Sequence, residues 1–376
     1  MGESTHFEIV AVDPHSGARA GRLITAHGVV ETPVFMPVGT QATVKAMTPD
    51  EVAEMGYRIL LGNTFHLNDR PGVEIIEQAG GLHRFMHWKH AILTDSGGYQ
   101  VFSLAKLRKI REEGVEFQSP VDGATHFLGP AQAMSIQRRL GSDIAMAFDE
   151  CPPYPCDPEY TCQAVDRTLS WAALCALEPR ANGQLLFGIV QGSTHPELRA
   201  RCARELVAMA FDGYAIGGVS VGESDDLILR GMDLTVPHLP EEKPRYLMGV
   251  GALGQMMEGV ARGVDMFDCV MPTRLARNGT AFTRWGRYPV KAGRFKDDPR
   301  PIEEGCGCYS CRRFSRAYVR HLLHADEILG LRLVTMHNLY RYSEMMSEMR
   351  SAICNGSFSA YREAFRARYR EVLTDA

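Results

Sequence analysis

The chain lacks any apolar run approaching a membrane span, which excludes a helical integral membrane protein. Its N-terminus, MGESTHFEIV, has neither a basic n-region nor an apolar h-region, so export is not expected and a cytoplasmic location is. No Gly-x-Gly-x-x-Gly follows the first apolar run and there is no Walker loop, which removes the usual signatures of a dinucleotide-binding sheet and of an ATP site. Internal repeats and low-complexity segments are also missing. Overall positive charge is lacking too: at −4 the chain shows no global electrostatic signature of a nucleic-acid binder.

That average hides an asymmetry. Between Arg274 and Arg320 stand twelve Lys or Arg and four acids, a local +8 that leaves −12 for the rest. Such a stretch is either a solvated face or a phosphate-binding patch, and its overlap with a cysteine cluster favours the patch. Seven of the ten cysteines are scattered singly, whereas Cys306, Cys308 and Cys311 fall within six residues, a usage that fits a reducing compartment with one metal site. Three thiols so close can face one point, and a later imidazole completes a tetrahedral Zn²⁺ shell. His337 is one candidate; His321 and His324, in a helix expected over 315–329, are nearer in sequence, and spacing alone does not exclude His324. A Cys₃His shell leaves no open position, so the ion is expected to be structural.

With 376 residues, 45% hydrophobic and 23% charged, the chain can bury one large α/β barrel or two ordinary domains. Residues 7–12 and 20–25 read as a hairpin. Short apolar runs then alternate with helical stretches: VFMPV (34–38), YRILLGN (57–63), AILTD (91–95), DIAMAFD (143–149), LLFGIVQ (185–191), YAIGG (214–218), RYLMGVG (245–251) and DMFDCV (265–270). Helices are expected at 49–55, 71–78, 130–140, 166–177, 196–211 and 253–262. Eight alternations predict a (β/α)₈ barrel, with a doubly wound sheet as runner-up. A further hairpin at 280–290 leads into the cysteines. The expected whole is a single α/β domain over 1–376, a TIM barrel with an N-terminal β-hairpin and a zinc-binding subdomain at about 274–345.

Asn63, Asp95, Asp149, Gln191, Gly217, Gly218 and Asp268 fall at or near the C-terminal ends of these runs, which converge on one mouth in a barrel. Glycines after Asp95 allow a sharp turn that exposes it together with Tyr99; the bland alternative is Asp95 as cap of the next helix. Asp268 lies among apolar neighbours, where a carboxylate is costly unless paired or working. Two such groups permit a nucleophile and an acid/base, as in retaining glycosyl enzymes. Asp149 and Gln191 offer edges for reading a heterocycle, Gly217-Gly218 permits close backbone approach, and Tyr99 and Met248 could stack on its faces. Cys151 and Cys269 have no His beside them in sequence, and buried spectators are the simpler reading.

These segments, with TPVFMPVGTQATVKAMTP (32–49), GGLHRFMHW (80–88), ILTDSGGYQVFSL (92–104), GVDMFDCVMPTRLARNG (263–279) and CGCYSC followed by His337, resemble the queuine/archaeosine tRNA-ribosyltransferases in order along most of the chain. The resemblance implies exchange of guanine at the wobble position of GUN-anticodon tRNAs for a 7-deazaguanine, by a (β/α)₈ enzyme with one zinc ion. It implies Asp268 as nucleophile on ribose C1′, Asp95 as general acid/base, and base contacts from Ser96, Asp149, Gln191, Gly217 and Gly218 between Tyr99 and Met248. It also implies Arg274 and Arg277 on the anticodon loop, His337 as fourth zinc ligand, and a homodimer. Cys151 and Val221 resemble the bacterial branch, which inserts preQ1. Val219, where Leu is common, is expected to act through its backbone carbonyl; Lys89-His90-Ala91 departs from the family pattern. Two other classes compete. A zinc hydrolase or deaminase requires an open metal position and His-rich strand ends, which this chain lacks. A non-catalytic tRNA-binding subunit has no need of Asp95 and Asp268.

Overall fold

β-Branched, aromatic and aliphatic runs too short for helices, each closed by Gly, Asn or Asp, become strands. In the computed structural model, which describes residues 6–104, 108–118 and 123–373, an antiparallel sheet of β1 (Phe7–Val12), β2 (Arg19–Thr25) and β3 (Gly28–Thr32) comes first. The expected hairpin is its first two strands. Then follow β4 (Val34–Met36), β5 (Ile59–Gly62) and β6 (Ala91–Thr94), an antiparallel insertion of β7 (Arg108–Arg111), β8 (Gly114–Gln118) and β9 (Thr125–Leu128), and β10 (Ile144–Met146), β11 (Leu185–Val190), β12 (Gly213–Ile216), β13 (Arg245–Leu247) and β14 (Met266–Asp268).

All eight predicted strands pair in parallel in the order β4-β14-β13-β12-β11-β10-β6-β5, and a parallel bridge from Val38 to Leu61 closes the barrel. The strand period of two divides the side chains. Leu61, Leu93, Met146 and Ile189 fill the interior, while Leu60, Ile92, Ala145 and Val190 pack outward on the helices. Helix starts follow the local chemistry: Thr48 and Glu51 form a capping box before Pro49, and Asp157 accepts from the Glu159 and Tyr160 amides ahead of Pro158. That cap starts the helix Pro158–Leu177 eight residues earlier than its apolar periodicity, which predicted 166–177.

Beyond the barrel, β15 (Thr280–Thr283) and β16 (Gly286–Pro289) make the second expected hairpin, joined in parallel by β17 (Arg370–Val372). A single helix over 315–329 is not found. The chain breaks between Arg316–His324 and Ile328–Cys354, with Asp326 at φ +53°. The 27-residue second helix is about 40 Å long. It lies against the barrel through Tyr57 Oη, which donates to the Leu339 carbonyl (2.7 Å), and Tyr342 Oη, which donates to that of Gly251 (2.6 Å). Among the described residues no helix is long and apolar enough to cross a membrane.

At the N-terminal end of the barrel, buried Asp143 opens β10 and accepts four hydrogen bonds. They come from the His27 ring (2.8 Å) and amide (3.0 Å) on one oxygen, and from the His83 ring (3.1 Å) and the Ile92 amide (2.8 Å) on the other. His27, His83 and Asp143 are spaced closely enough to hold an ion. The imidazoles, however, stack 3.6 Å apart at 15°, so one ion cannot lie in both ring planes, and the carboxylate is already saturated. The cluster is a latch joining the β2–β3 turn, the helix Leu82–Met86 and β10. Burial alone would raise the Asp143 carboxyl, but donors from His83, Ile92 and His27 outweigh it and hold it below the usual carboxylate range. Its contribution is therefore present above the unfolded value of about 3.9 and lost as pH falls through the lower folded value. His83→Ala should cost about 1–3 kcal/mol in urea unfolding at neutral pH, a difference that narrows as acid protonates Asp143. A gap unchanged by acid would contradict the latch.

Candidate active site

The C-terminal ends of β6, β10, β11, β12, β13 and β14 bring Asp95, Asp149, Gln191, Gly217-Gly218, Met248 and Asp268 to one mouth, as expected. Asp95, buried just after β6, is held by three elements. Its Oδ2 accepts from Asn63 Nδ2 (2.5 Å) and Gln100 Nε2 (2.7 Å), and its Oδ1 from the Thr64 amide (2.8 Å). The carboxyl thus serves the start of the helix Thr64–Asp69, one strand away, as well as the turn that follows Asp95 itself. Burial raises its pKa, opposed by these donors.

Ser96 Oγ (3.0 Å) and Gln191 Nε2 (2.7 Å) donate to the two oxygens of Asp149, beside the turn after β6. Burial pushes the Asp149 carboxyl up to about 6, with the charges of Asp95 and Glu150 adding to the effect. Gln191 Oε1 is buried without a partner among the described residues. A buried carboxylate and an unsatisfied amide oxygen facing one space form an acceptor-rich edge suited to the N–H groups of a heterocycle.

Asp268 ends β14, half-buried. Tyr246 Oη (2.6 Å) and the Gly249 amide (2.8 Å) both donate to Oδ1, leaving Oδ2 without a partner among the described residues. Desolvation raises the carboxyl, the two donors lower it, and the nearby charge of Asp95 raises it again. The two aspartates therefore sense each other across the mouth. Sequence reasoning missed Tyr246, Thr64 and Gln100, which orient these acids. Gln100 lies within the quoted DSGGYQ turn, but Tyr246 points at Asp268 only because of strand register.

Tyr99 is exposed on the helix Gly98–Leu104, close enough to the Arg274 charge to feel it. Met248 packs on the top of the inner core. Cys151 is half-buried and its thiol is pushed up to about 12 by burial and by the Asp149 charge; Cys269 rises to about 11 for like reasons, so both remain thiols at neutral pH. Val219 is buried. Arg274 (exposed) and Arg277 (half-buried) lie on the helix Met271–Arg277 directly after Asp268. Within the +8 stretch, Arg284, Arg287, Arg300 and Arg316 are engaged by acids. Arg274, Lys296, Arg312 and Arg313 are exposed.

The donor atoms of Cys306, Cys308, Cys311 and His337 lie within 4.8 Å of one another. Nδ1 of His337 is 3.7, 3.5 and 3.3 Å from the three sulfurs. A tetrahedral ion bound at about 2.3 Å to sulfur and 2.0 Å to nitrogen gives edges of about 3.5 Å, so the set fits. Nε2 of His337 meets the Phe282 carbonyl at 2.7 Å, which fixes that proton and turns Nδ1 toward the sulfurs. His324 faces the Lys291 carbonyl instead, on the separate helix before the break.

Residues 13–371 match the family model described as queuine tRNA-ribosyltransferase. The chain belongs to that family. The relative of that name from Pelotomaculum thermopropionicum is 58% identical over 363 residues, 96% of this chain and 98% of its own. The one from Symbiobacterium thermophilum is 57% identical (97% and 92%), and that from Moorella thermoacetica 56% (96% and 97%). The barrel, the mouth acids and the Cys₃His set belong to one connected structure. Asn338, beside His337, donates to the Pro272 (2.9 Å) and Thr280 (3.0 Å) carbonyls and accepts from the Phe282 amide (2.9 Å), tying the cysteine region to the helix that carries Arg274 and Arg277.

Proposed function

We propose that this protein is a tRNA-guanine transglycosylase, a pentosyltransferase that replaces guanine at the wobble position of GUN-anticodon tRNAs (Asp, Asn, His, Tyr) with preQ1 in queuosine biosynthesis. Family membership carries the reading, and an Asp268 oxygen without a partner among the described residues, at the same mouth as a buried base-reading edge, supports it. The target nucleotide leaves its stack to enter the mouth, which favours a single-stranded loop as substrate. Guanine presents its ring N–H and amino group to Asp149 and Gln191, backed by Ser96 and Gly217-Gly218-Val219, between Tyr99 and Met248. Asp268 Oδ2 attacks C1′ as the glycosidic bond breaks, giving an aspartyl–ribose ester. Asp95, whose raised pKa suits a proton donor, protonates the departing guanine and then takes the proton of the incoming base. That base displaces Asp268, and two inversions give net retention.

Cys306, Cys308, Cys311 and His337 would hold one zinc ion, which would supply structural bracing rather than chemistry. Arg274 and Arg277 engage the anticodon loop. Half-buried Cys151 and Val221, which resemble the bacterial branch, support a base that carries an aminomethyl group over one that carries a cyclopentenediol. We read the chain as one barrel domain with a zinc subdomain at about 274–345, working in the cytoplasm beside its tRNA. Exposed Tyr309, Tyr318, Ile328 and Leu329 around the cysteine cluster support a homodimer through that face.

Labelled guanine should enter unmodified GUN tRNA without ATP and should fail to enter tRNAs with other wobble bases. Incorporation should fall below pH of about 6, as Asp149 takes up a proton and ceases to accept. Equal labelling of all tRNAs would sink the reading.

A further inference from the structure

Arg199, on the helix Pro196–Ala208, is wholly buried, yet among the described residues no carboxylate pairs with it. A buried charge without a counter-charge is costly and needs dense hydrogen bonding to persist. Its Nε donates to the Ser193 carbonyl (2.5 Å), Nη1 to Thr235 Oγ1 (3.2 Å), and Nη2 to the carbonyls of Gly217 (2.9 Å) and Gly218 (3.2 Å). One guanidinium thus joins the ends of β11 and β12 to the segment after the helix Asp225–Asp233.

The two glycine carbonyls define a direction. Both peptides are trans, so each following amide points opposite to its carbonyl. With the Gly217 and Gly218 oxygens turned back onto Arg199, the Gly218 and Val219 N–H groups face the other way, toward the mouth. The Gly218 amide does reach the Cys151 sulfur on that side. Gly218 sits at φ +60°, and a Cβ there would meet Gln191 Oε1 at 2.4 Å, so the turn is pressed against the base-reading side chains. Free rotation of either peptide would exchange a donor for an acceptor beside Asp149 and Gln191, where acceptors already crowd.

We propose that Arg199 is a positioning residue that fixes the polarity of the Gly217–Gly218–Val219 peptides, so that the pocket offers amide donors to the ring carbonyl of the base. The inference rests on the transglycosylase reading and adds the group that enforces selection for an oxo-purine. Burial leaves the guanidinium near 10, so it stays charged throughout the working range.

The test compares guanine with 6-thioguanine, which keeps the N1–H and amino group but replaces the carbonyl oxygen with a weak acceptor. Binding of each base is measured by calorimetry on intact wild type and Arg199→Met, with thermal melting and KM for tRNA alongside. Wild type should prefer guanine. In Arg199→Met, guanine affinity should fall about 30-fold and 6-thioguanine affinity less than about 3-fold, narrowing the preference, with KM for tRNA unchanged. A general loss of structure would weaken both bases alike, and that result, or an undiminished guanine preference, overturns the assignment. If Arg199→Met does not melt cooperatively, Arg199→Lys decides: an intermediate preference supports the role, and the full wild-type preference refutes it. Wild type that binds neither base sinks the transglycosylase reading itself, before any variant is compared.

Discussion

Asp268→Asn is expected to abolish the covalent tRNA adduct and to lower guanine exchange by on the order of 10⁴-fold or more. The size follows from where the carboxylate sits. Its Oδ1 is occupied by Tyr246 and Gly249, and its Oδ2 has no partner among the described residues. An asparagine can keep the first oxygen and both hydrogen bonds while replacing the second with an amide nitrogen that cannot attack C1′. The fold should not suffer, because desolvation already disfavours the charged form at this position and a neutral side chain relieves it. The variant should therefore melt at or above the wild-type temperature and still bind tRNA and guanine. Denaturing gel electrophoresis of enzyme mixed with tRNA and a guanine analogue is the direct assay: a shifted protein–RNA band with wild type, none with the variant. A band that survives the substitution would overturn the nucleophile assignment.

The parts of the fold that could be read in the sequence are those fixed by local chemistry. Each barrel strand is a short, mostly buried run, so it is largely apolar and bounded by turn residues. Helices starting at Pro49, Pro130 and Pro196 carry their own signals. The insertion β7–β9 was not legible because Arg108, Lys109 and Thr125–Phe127 stand in solvent, leaving little apolar alternation. The break at Asp326 went unseen because apolar periodicity continues across it and the positive φ falls on a residue other than glycine. At the mouth, chain position revealed which acids end strands. It could not reveal which donors orient them, since Asn63 reaches Asp95 and Tyr246 reaches Asp268 across neighbouring strands. Nor could it show Arg199 behind the glycine pair, since an arginine on an amphipathic helix ordinarily reads as surface.

Cys308→Ala is the second large effect, and it should separate architecture from chemistry. Cys308 has two jobs: its sulfur belongs to the Cys₃His set, and it caps the helix Tyr309–Arg313 by accepting from the Cys311 amide (3.3 Å). Removing it opens the metal shell and frees His337, whose Nε2 contact with Phe282 and neighbour Asn338 reach the helix Met271–Arg277. A structural zinc ion supplies small zinc folds with about 10–16 kcal/mol, so losing one ligand of four should unfold the cysteine region or cost it roughly 5 kcal/mol or more. Metal content by atomic absorption should drop from one ion per chain to near none. Affinity for tRNA should fall about 10–100-fold as Arg274, Arg277 and the exposed basic residues around the cluster lose their fixed positions. Guanine binding should persist within about 3-fold, because Asp95, Asp149 and Gln191 are held by barrel residues alone. The two variants then fail in opposite ways: Asp268→Asn binds tRNA without reacting, and Cys308→Ala keeps the chemistry of the mouth without holding the RNA. Full metal content in Cys308→Ala would remove that cysteine from the ligand set, and unchanged tRNA affinity in a metal-free variant would remove the metal from RNA recognition.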